Sequence, residues 1–467
     1  MSDSLQLEAE RYREQLQSCQ RILLDHVAGL RRAQGLHDAH NLHDALPSID
    51  IHDVEFQGAL RSTLSHVQSA LGSHWKEKFQ QVVQLQVPAK RKFSLPDRDF
   101  DALGDPTHSG LQNPSPSTAV PFWWVTKRAL EQSTSARVAR VKAGWFGNEP
   151  VHDLCSGIGG DAMHFIKRGE VHLIERDPYI AAMAAENVEA VMPLNASLQL
   201  HCCDFSDYIL PDRAWIHVDP DRRVGQRTSR DPSHFSPGWH EVCERVQRSE
   251  GAMIKLAPAT ELPDDRTAII PANKFHRMWI EYQGSVREQG LLFQGVCENA
   301  GVEPGYHSAL IIQSDGSTTR FQEKPSGSAT IRSEEDVSRL AGGLLIDPRN
   351  SIRAAGLTVA FAAKHQCRFL SGPSGFLFCS ESEPTAASEV ADFAAVGRVI
   401  WVGACDDRKL RKELRSRNCF AETVKVRGTD HDPAVLVKRY RACGENPVRL
   451  WIGRCGKRAF AAITATA

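Results

Sequence analysis

DLCSGIGGDAMHF, residues 153–165, is the stretch on which the reading of the whole chain turns. It ends the apolar run VHDL with an acid, passes through Gly157, Gly159 and Gly160, and opens a helix-like segment. Glycines at such a turn let a ligand press against the backbone where any Cβ would clash, and they permit positive φ. Taken alone, the turn fits a nicotinamide or flavin site, or a tight structural turn, as well as an adenosine-type ligand.

The neighbouring segments narrow that choice. Runs at VHDL (151), VHLIE (171), LQLHC (198), WIHVD (215) and AMIKLA (252) alternate with helical stretches, the pattern of a parallel sheet with crossover helices. The second strand ends in Glu175 and the third in Asp204, and open α/β sheets bind ligands at the carboxyl ends of their strands. Glu175 is placed to accept from both ribose hydroxyls and Asp204 from an adenine amine. A dinucleotide site usually carries G-x-G-x-x-G, whereas this turn reads G-x-G-G-D and offers no separate pyrophosphate cradle. A methionine-bearing adenosine fits better. WIEYQGSVREQGLLF (279–293) reads as an antiparallel hairpin closing the sheet's edge.

Composition sets outer limits. At 467 residues the chain exceeds one core, and roughly 150 residues per domain gives about three domains. There is no apolar run near the roughly 20 residues of a membrane helix, and the polar start MSDSLQLEAERYREQ reads as a cytoplasmic protein without a signal peptide. The 12 cysteines contain no Cys-x-x-Cys pair and read as reduced, buried thiols; no metal is expected. Leu16, Cys19, Leu23, Val27 and Leu30 recur at helical spacing, as do Phe56, Leu60, Leu64, Val67, Leu71, Trp75, Phe79 and Val82, so residues 1–100 read as a helical region. Its His/Asp-rich loop, 37–50, reads as solvated. Linker-like composition at 101–118 and 322–338 sets boundaries. Between Arg398 and Arg458 stand 16 Lys and Arg against 7 Asp and Glu, a surplus suited to an acidic partner.

Asp153 with its glycines, Glu175, Asp204 and Asp219-Pro220, in that order, resemble a class I S-adenosylmethionine-dependent methyltransferase. KRKFSLPD (90–97), VTKRALEQSTSARVARVKAGWF (125–146), DLCSGIGGD, VDPDRR and KVRGTDHDPAVLVKRYRACGENPVRLWIGR (425–454) resemble bacterial methyltransferase-like proteins with a THUMP-like C-terminal domain. The resemblance spans most of residues 85–463. It implies an α/β fold: a Rossmann-like methyltransferase sheet at 119–322, a connecting α/β segment at 339–390 and a small THUMP-like α/β domain at 391–467.

It further implies that Asp153, Gly157 and Gly159 hold the methionine moiety of S-adenosyl-L-methionine, Glu175 the ribose and Asp204 the adenine, with Leu130, Glu131 and Gln132 lining the pocket. Cys155, Gly160, Asp161, Arg176, Phe205 and Asp219 complete the expected cofactor-binding set. ALEQST equally fits an amphipathic helix with a polar face. The expected catalytic set is Asp219, Pro220, Asp221 and Arg222. In methyltransferases of base amines the corresponding turn is an acid or amide, two prolines and an aromatic that stacks on the base. Here Asp221 and Arg222 replace the second proline and the aromatic. Arg222 suits stacking on a base, Arg223, Arg227 and Arg230 suit phosphates, and Arg222 and Arg223 equally suit pairing with Asp221 or a neighbouring carboxylate to fix the loop. Lys255 and Pro258 are expected on the opposite wall.

The implied activity is RNA methylation at a base amine, with RNA held by the basic C-terminal domain through Arg408, Lys409, Arg411 and Lys412. The alternatives are methylation of a small molecule or protein, or a cofactor-binding scaffold without transferase activity. No membrane or metal partner is expected.

Overall fold

The computed structural model describes residues 2–33, 54–94, 122–224, 227–263, 268–325, 332–372, 374–380 and 387–465. The His/Asp-rich loop at 37–50 and the 101–118 linker lie outside them. The chain divides into two compact units, Met1–Phe275 with Gly290–Pro304, and His276–Gln289 with Gly305–Ala467.

The first unit is built on five parallel strands: β1 Val151–Leu154, β2 Glu170–Ile174, β3 Ser197–His201, β4 Trp215–Val218 and, after two short strands β5 Arg223–Val224 and β6 Arg227–Thr228, β7 Gly251–Leu256. Their order is β3-β2-β1-β4-β7. The chain runs outward from β1 in one direction and then returns to continue from β1 in the other, so β1 and β4 flank the reversal. Such a switch point opens a crevice beyond the strands' carboxyl ends. Central strands buried on both faces must be apolar, and Ile216, Val218, Ala252 and Ile254 are at 0% exposure in one core cluster.

The helix Pro178–Glu189 follows β2 because Asp177 caps it, accepting from the Tyr179 and Ile180 amides at 2.9 and 3.1 Å, with Pro178 in the first turn. Its alanines, Ala181, Ala182, Ala184 and Ala185, are fully buried. The helix Ser2–Ala33 packs on it: Arg13 reaches Glu186 at 3.0 Å and Glu189 at 2.6 Å, and Gln6 Oε1 accepts the Cys202 amide at 2.8 Å. Leu16, Cys19 and Leu23 are buried as their spacing predicts. The second helical run breaks into Val54–Leu71, Ser73–Gln84 and Gln86–Phe93, with Gly72 at φ 96° at the first break.

β8 His276–Tyr282 opens the second unit and is joined through Gln283 and Gly284, both at positive φ, to β9 Ser285–Phe293, whose last four residues belong to the first. This is the expected hairpin, but it does not close the sheet's edge. β10 His307–Ile312 pairs in parallel with β8, and β11 Thr318–Glu323 pairs antiparallel with β10. The apolar run HSALII supplies the strand that takes up β8's outer edge.

A seven-stranded sheet follows, from β12 Leu344–Pro348, β13 Arg368–Phe369, β14 Leu377–Cys379, β15 Ala394–Ala404, β16 Cys419–Val426, β17 Asn446–Cys455 and β18 Arg458–Ala465, ordered β13-β14-β12-β15-β18-β17-β16. The helix Asp407–Ser416 buries Leu410 and Leu414 against it, as the charged run with two leucines predicts. The 12 cysteines are all free thiols, 10 of them buried. No helix among the described residues is long and apolar enough to cross a membrane.

Candidate active site

The glycine turn is fixed from three sides. Cys155 and Ser156 donate their amides to the Ile174 carbonyl at 2.9 and 3.1 Å, so the end of β1 is tied to β2. Buried Asn187 donates to the carbonyls of Ile158 at 3.0 Å and Trp124 at 2.8 Å and accepts the Trp124 amide at 2.7 Å. That side chain pins the segment before ALEQST onto the turn. A Cβ on Gly160 would lie 3.1 Å from the Ser133 Cβ and the Thr134 amide, so glycine permits the Ser-Thr pair to close over the turn. Gly157 differs. At φ 55° nothing lies within 4 Å of where its Cβ would stand, which leaves a backbone cradle open to a ligand.

Glu175, at the end of β2, accepts the Gly157 amide on Oε2 at 3.1 Å and the Asp177 amide on Oε1 at 3.0 Å. Burial pushes its carboxyl above the usual range, against those two donors. Each oxygen keeps a lone pair beside the open glycine, the acceptor pattern for two vicinal hydroxyls. Asp204, at the end of β3, accepts the Ser206 amide and hydroxyl on Oδ1 at 3.0 and 2.9 Å, and the backbone donor holds its carboxyl below the usual range. Its Oδ2 has no partner among the described residues. Phe205 is buried beside it with the Arg245 guanidinium 4.4 Å from its ring centre. These residues fit an adenosine-bearing ligand at the sheet's carboxyl edge.

Asp153, expected against a methionine moiety, stands within the sheet. It is 1% exposed, and its Oδ1 lies 2.7 Å from Nδ1 of His217, its register partner on β4. Burial raises its carboxyl and His217 opposes the shift. Asp161 is likewise interior: Lys142 Nζ lies 2.7 Å from Oδ1, and the Thr134 hydroxyl donates to Oδ2 at 2.6 Å. His217 Nε2 and Lys255 Nζ stand 3.9 and 3.8 Å from that same oxygen. Lys142, His217 and Lys255 together hold Asp161 well below the usual carboxylate range, overcoming its burial. Lys255 then donates to Asp219 Oδ2 at 2.6 Å. A continuous network of acids and bases therefore runs from Asp153 through His217, Asp161 and Lys255 to Asp219.

Asp219 Oδ1 has no partner among the described residues, so one carboxylate oxygen stays open at the end of β4. Pro220 is buried. Asp221 exchanges amide hydrogen bonds with Ser236 at 2.8 and 2.9 Å, and its carboxylate lies 3.4 Å from the exposed Arg128. Arg222 is exposed and has no ion-pair partner among the described residues; its carbonyl accepts the Ser229 amide at 2.8 Å. The pairing of Arg222 with Asp221 therefore does not form. The side chains of Arg223 and Arg227 lie outside the described ones. Arg176 reaches the Ser236 hydroxyl at 3.4 Å. Cys155 is strained at φ 64°, and burial together with Glu175 raises its thiol well above the usual value. Gln132 and Glu131 are exposed at the end of the short helix Lys127–Gln132, and Leu130 is buried.

Sequence reasoning missed Lys142, Thr134 and His217. A signal existed for two of them: a histidine inside WIHVD and a lysine on the apolar side of ARVARVKA must each have a partner when buried.

No family model matches the chain. Two Mycobacterium tuberculosis proteins, from strains CDC 1551 and H37Rv, are each 27% identical over 353 residues, covering 75% of this chain and 90% of theirs; each is named an uncharacterized S-adenosylmethionine-dependent methyltransferase. A crystal structure of a methyltransferase candidate from Porphyromonas gingivalis W83 superposes with a TM-score of 0.61 at 17% identity, covering 85% of this chain and 92% of that one. That likeness speaks for the fold. With the glycine cradle, the acids at the ends of β2 and β3 and these relatives on the page, the chain is an S-adenosylmethionine-dependent methyltransferase built on a parallel α/β sheet.

Proposed function

We propose that this methyltransferase acts on RNA and methylates a base amine beside Asp219. The observation that carries the reading is the Asp219–Lys255 pair: Lys255 holds one carboxylate oxygen at 2.6 Å and leaves the other to accept a hydrogen from an incoming amine. In this reading Gly157 and Gly159 cradle the methionine end of the cofactor, Glu175 takes the ribose hydroxyls and Asp204 the adenine amine. Asp153 and Asp161 act from within, fixing His217 and Lys255. Gln132, Cys155, Gly160, Arg176 and Phe205 shape the walls.

Bound S-adenosylmethionine supplies an electrophilic methyl group on a sulfonium, so the protein's own task is alignment. Alignment of this kind is worth on the order of 7–11 kcal/mol. Asp219 orients the nucleophile and draws off its proton. Arg222, exposed and without a carboxylate partner among the described residues, takes the place of the missing aromatic by stacking its guanidinium on the base.

The RNA-holding part is the basic segment 391–467, read as THUMP-like. Arg408, Lys409, Lys412 and Arg415 are exposed on the helix Asp407–Ser416 with no ion-pair partner among the described residues. Arg411 is instead held by Asp407 at 2.9 Å and does not join them. Incubating the protein with labelled S-adenosylmethionine and total RNA from cells lacking it is expected to put label into RNA. Label in protein or small molecules alone, or cofactor binding without transfer, overturns the reading. Neutralising those four cations is expected to flatten the salt dependence of RNA retention by about 0.7 in slope for each phosphate that the variant no longer neutralises.

A further inference from the structure

In the seven-stranded sheet β12 and β16 are separated by β15, β18 and β17, yet Lys425 and Arg427 reach Asp347 on β12. The sheet therefore curls until its two sides meet, and Asp347 sits where they meet. Its side chain is 3% exposed. Arg353 donates Nη2 to Asp347 Oδ1 at 2.9 Å, and to the Gly375 carbonyl at the same distance. Arg427 donates Nε to Oδ1 at 2.9 Å and Nη2 to Oδ2 at 3.3 Å, and Lys425 Nζ lies 3.5 Å from Oδ2.

A fourth cation stands on the neighbouring strand β17: among the described residues Arg454 donates to carbonyls alone, Gly428 at 2.8 Å and Lys457 at 3.0 Å. A Cβ on Gly428 would lie 3.8 Å from Arg454 Cδ and 3.9 Å from the Ser371 hydroxyl, so that arginine and that serine border one spot. Ser371 Oγ has no hydrogen-bond partner among the described residues.

One carboxylate balances one cation, and the rest repel one another. Arg353 registers that crowding: burial and Arg427 both pull its guanidinium below the usual range, against Asp347. The Arg353–Asp347–Arg427 clasp spans the closure of the curled sheet and satisfies Asp347 by hydrogen bonds. Lys425 and Arg454 are surplus to it, and Lys425 is 39% exposed, within reach of a solute. Guanidinium forks beside an ammonium and a hydroxyl suit a tetrahedral dianion.

We propose that Lys425, Arg427, Arg454 and Ser371 form a phosphate-binding site at the closure of the curled sheet. The site takes a phosphate group whichever molecule carries it, so the inference does not rest on RNA being the methyl acceptor.

The test is calorimetric titration of the full chain with inorganic phosphate at constant ionic strength in chloride. Lys425→Gln with Arg454→Gln is expected to weaken phosphate binding by about tenfold or more, from the loss of charged hydrogen bonds. Lys425→Arg should retain binding, and Arg408→Gln with Lys409→Gln should leave it unchanged. Absence of binding by the parent chain, or equal binding by the Lys425/Arg454 variant, overturns the proposal. If circular dichroism shows the double variant unfolded, Lys425→Gln alone, which leaves the clasp intact, is read by the same criterion.

Three further probes identify the source: a 5′-phosphorylated pentauridylate, its unphosphorylated form and uridine monophosphate. Equal weakening of both oligonucleotides in the variant marks a backbone diester. Weakening of the phosphorylated form alone marks a terminal monoester, and of uridine monophosphate alone a free metabolite.

Discussion

Beside β1 and β4, Asp153, Asp161 and Asp219 share Lys142, Lys255 and His217, whereas in the second unit Asp347 alone faces Arg353, Arg427 and Lys425. The first group lies inside except at its end, where Asp219 is 37% exposed, and it sets three carboxylates against three bases; Lys142 is fully buried. The second carries a surplus and keeps part of it at the surface. Desolvation accounts for both arrangements, since an interior charge must be matched at once while a charge at an opening is screened by water or by a ligand. The matched group serves to hold geometry, and the unmatched one is suited to recruiting an anion.

Breaking the match should have the largest effect. Lys142→Met leaves Asp161 without its nearest cation, and uncompensated buried charges of this kind cost about 3–5 kcal/mol. Urea unfolding should show that loss, and Asp161→Asn in the same chain should recover part of it. If Lys142→Met alone costs under about 1 kcal/mol, the network is not the rigid element described here.

Next comes the open end of the network. Asp219→Asn keeps the shape but removes the charge that Lys255 holds, and loss of a proton acceptor in the transition state lowers kcat by about 100-fold or more. Cofactor affinity should change less than kcat, because the glycine cradle and the acids of β2 and β3 stay in place. A variant with full kcat would remove Asp219 from the chemistry and leave it a structural partner of Lys255.

How much of this was legible before folding depended on distance along the chain. The strands at 151, 171, 198, 215 and 252 announce themselves through apolar runs, the first four of them carrying or leading into an acid, and the structure has strands at each. Glu175 and Gly157 lie 18 residues apart and meet as that pattern suggests. Asp347 and Arg427 lie 80 residues apart and meet only because a sheet curls, which no local pattern encodes. The same holds for Gln6 and Cys202, 196 residues apart, through which the first helix is tied to the end of β3. The partner of Asp153 was hidden for a similar reason: His217 stands 64 residues on, and only the β1–β4 register sets the two opposite each other.

The first unit also buries one titratable group by a third route, leaving the His152 imidazole uncharged. His152, His172 and His201 stack across β1, β2 and β3, with ring centres 4.3 and 5.3 Å apart. Burial, and then His172 and His201, push the His152 imidazole down to about 4. An unfolded histidine titrates near ~6.5, so between the two values the unfolded chain binds a proton that the folded chain refuses. Stability is complete above ~6.5 and falls as pH drops toward the folded value, by on the order of 2 kcal/mol at pH ~5. Denaturant midpoints across that range check it, and His152→Gln should flatten the slope. An unchanged slope would mean that the stack accepts a proton without cost.

The smallest effect on stability belongs to the surplus group, and its smallness is informative. Lys425→Gln removes a cation 3.5 Å from a carboxylate that two arginines already satisfy. The lost attraction to Asp347 is offset by relief of repulsion from Arg427, so in chloride the unfolding free energy should stay within about 0.5 kcal/mol of the parent. Added phosphate should stabilise the parent by linkage and the variant much less. A loss of several kcal/mol in chloride alone would make Lys425 part of the clasp and give the two clusters the same logic. A difference that emerges only with phosphate keeps them apart, one matched from within and the other completed from outside.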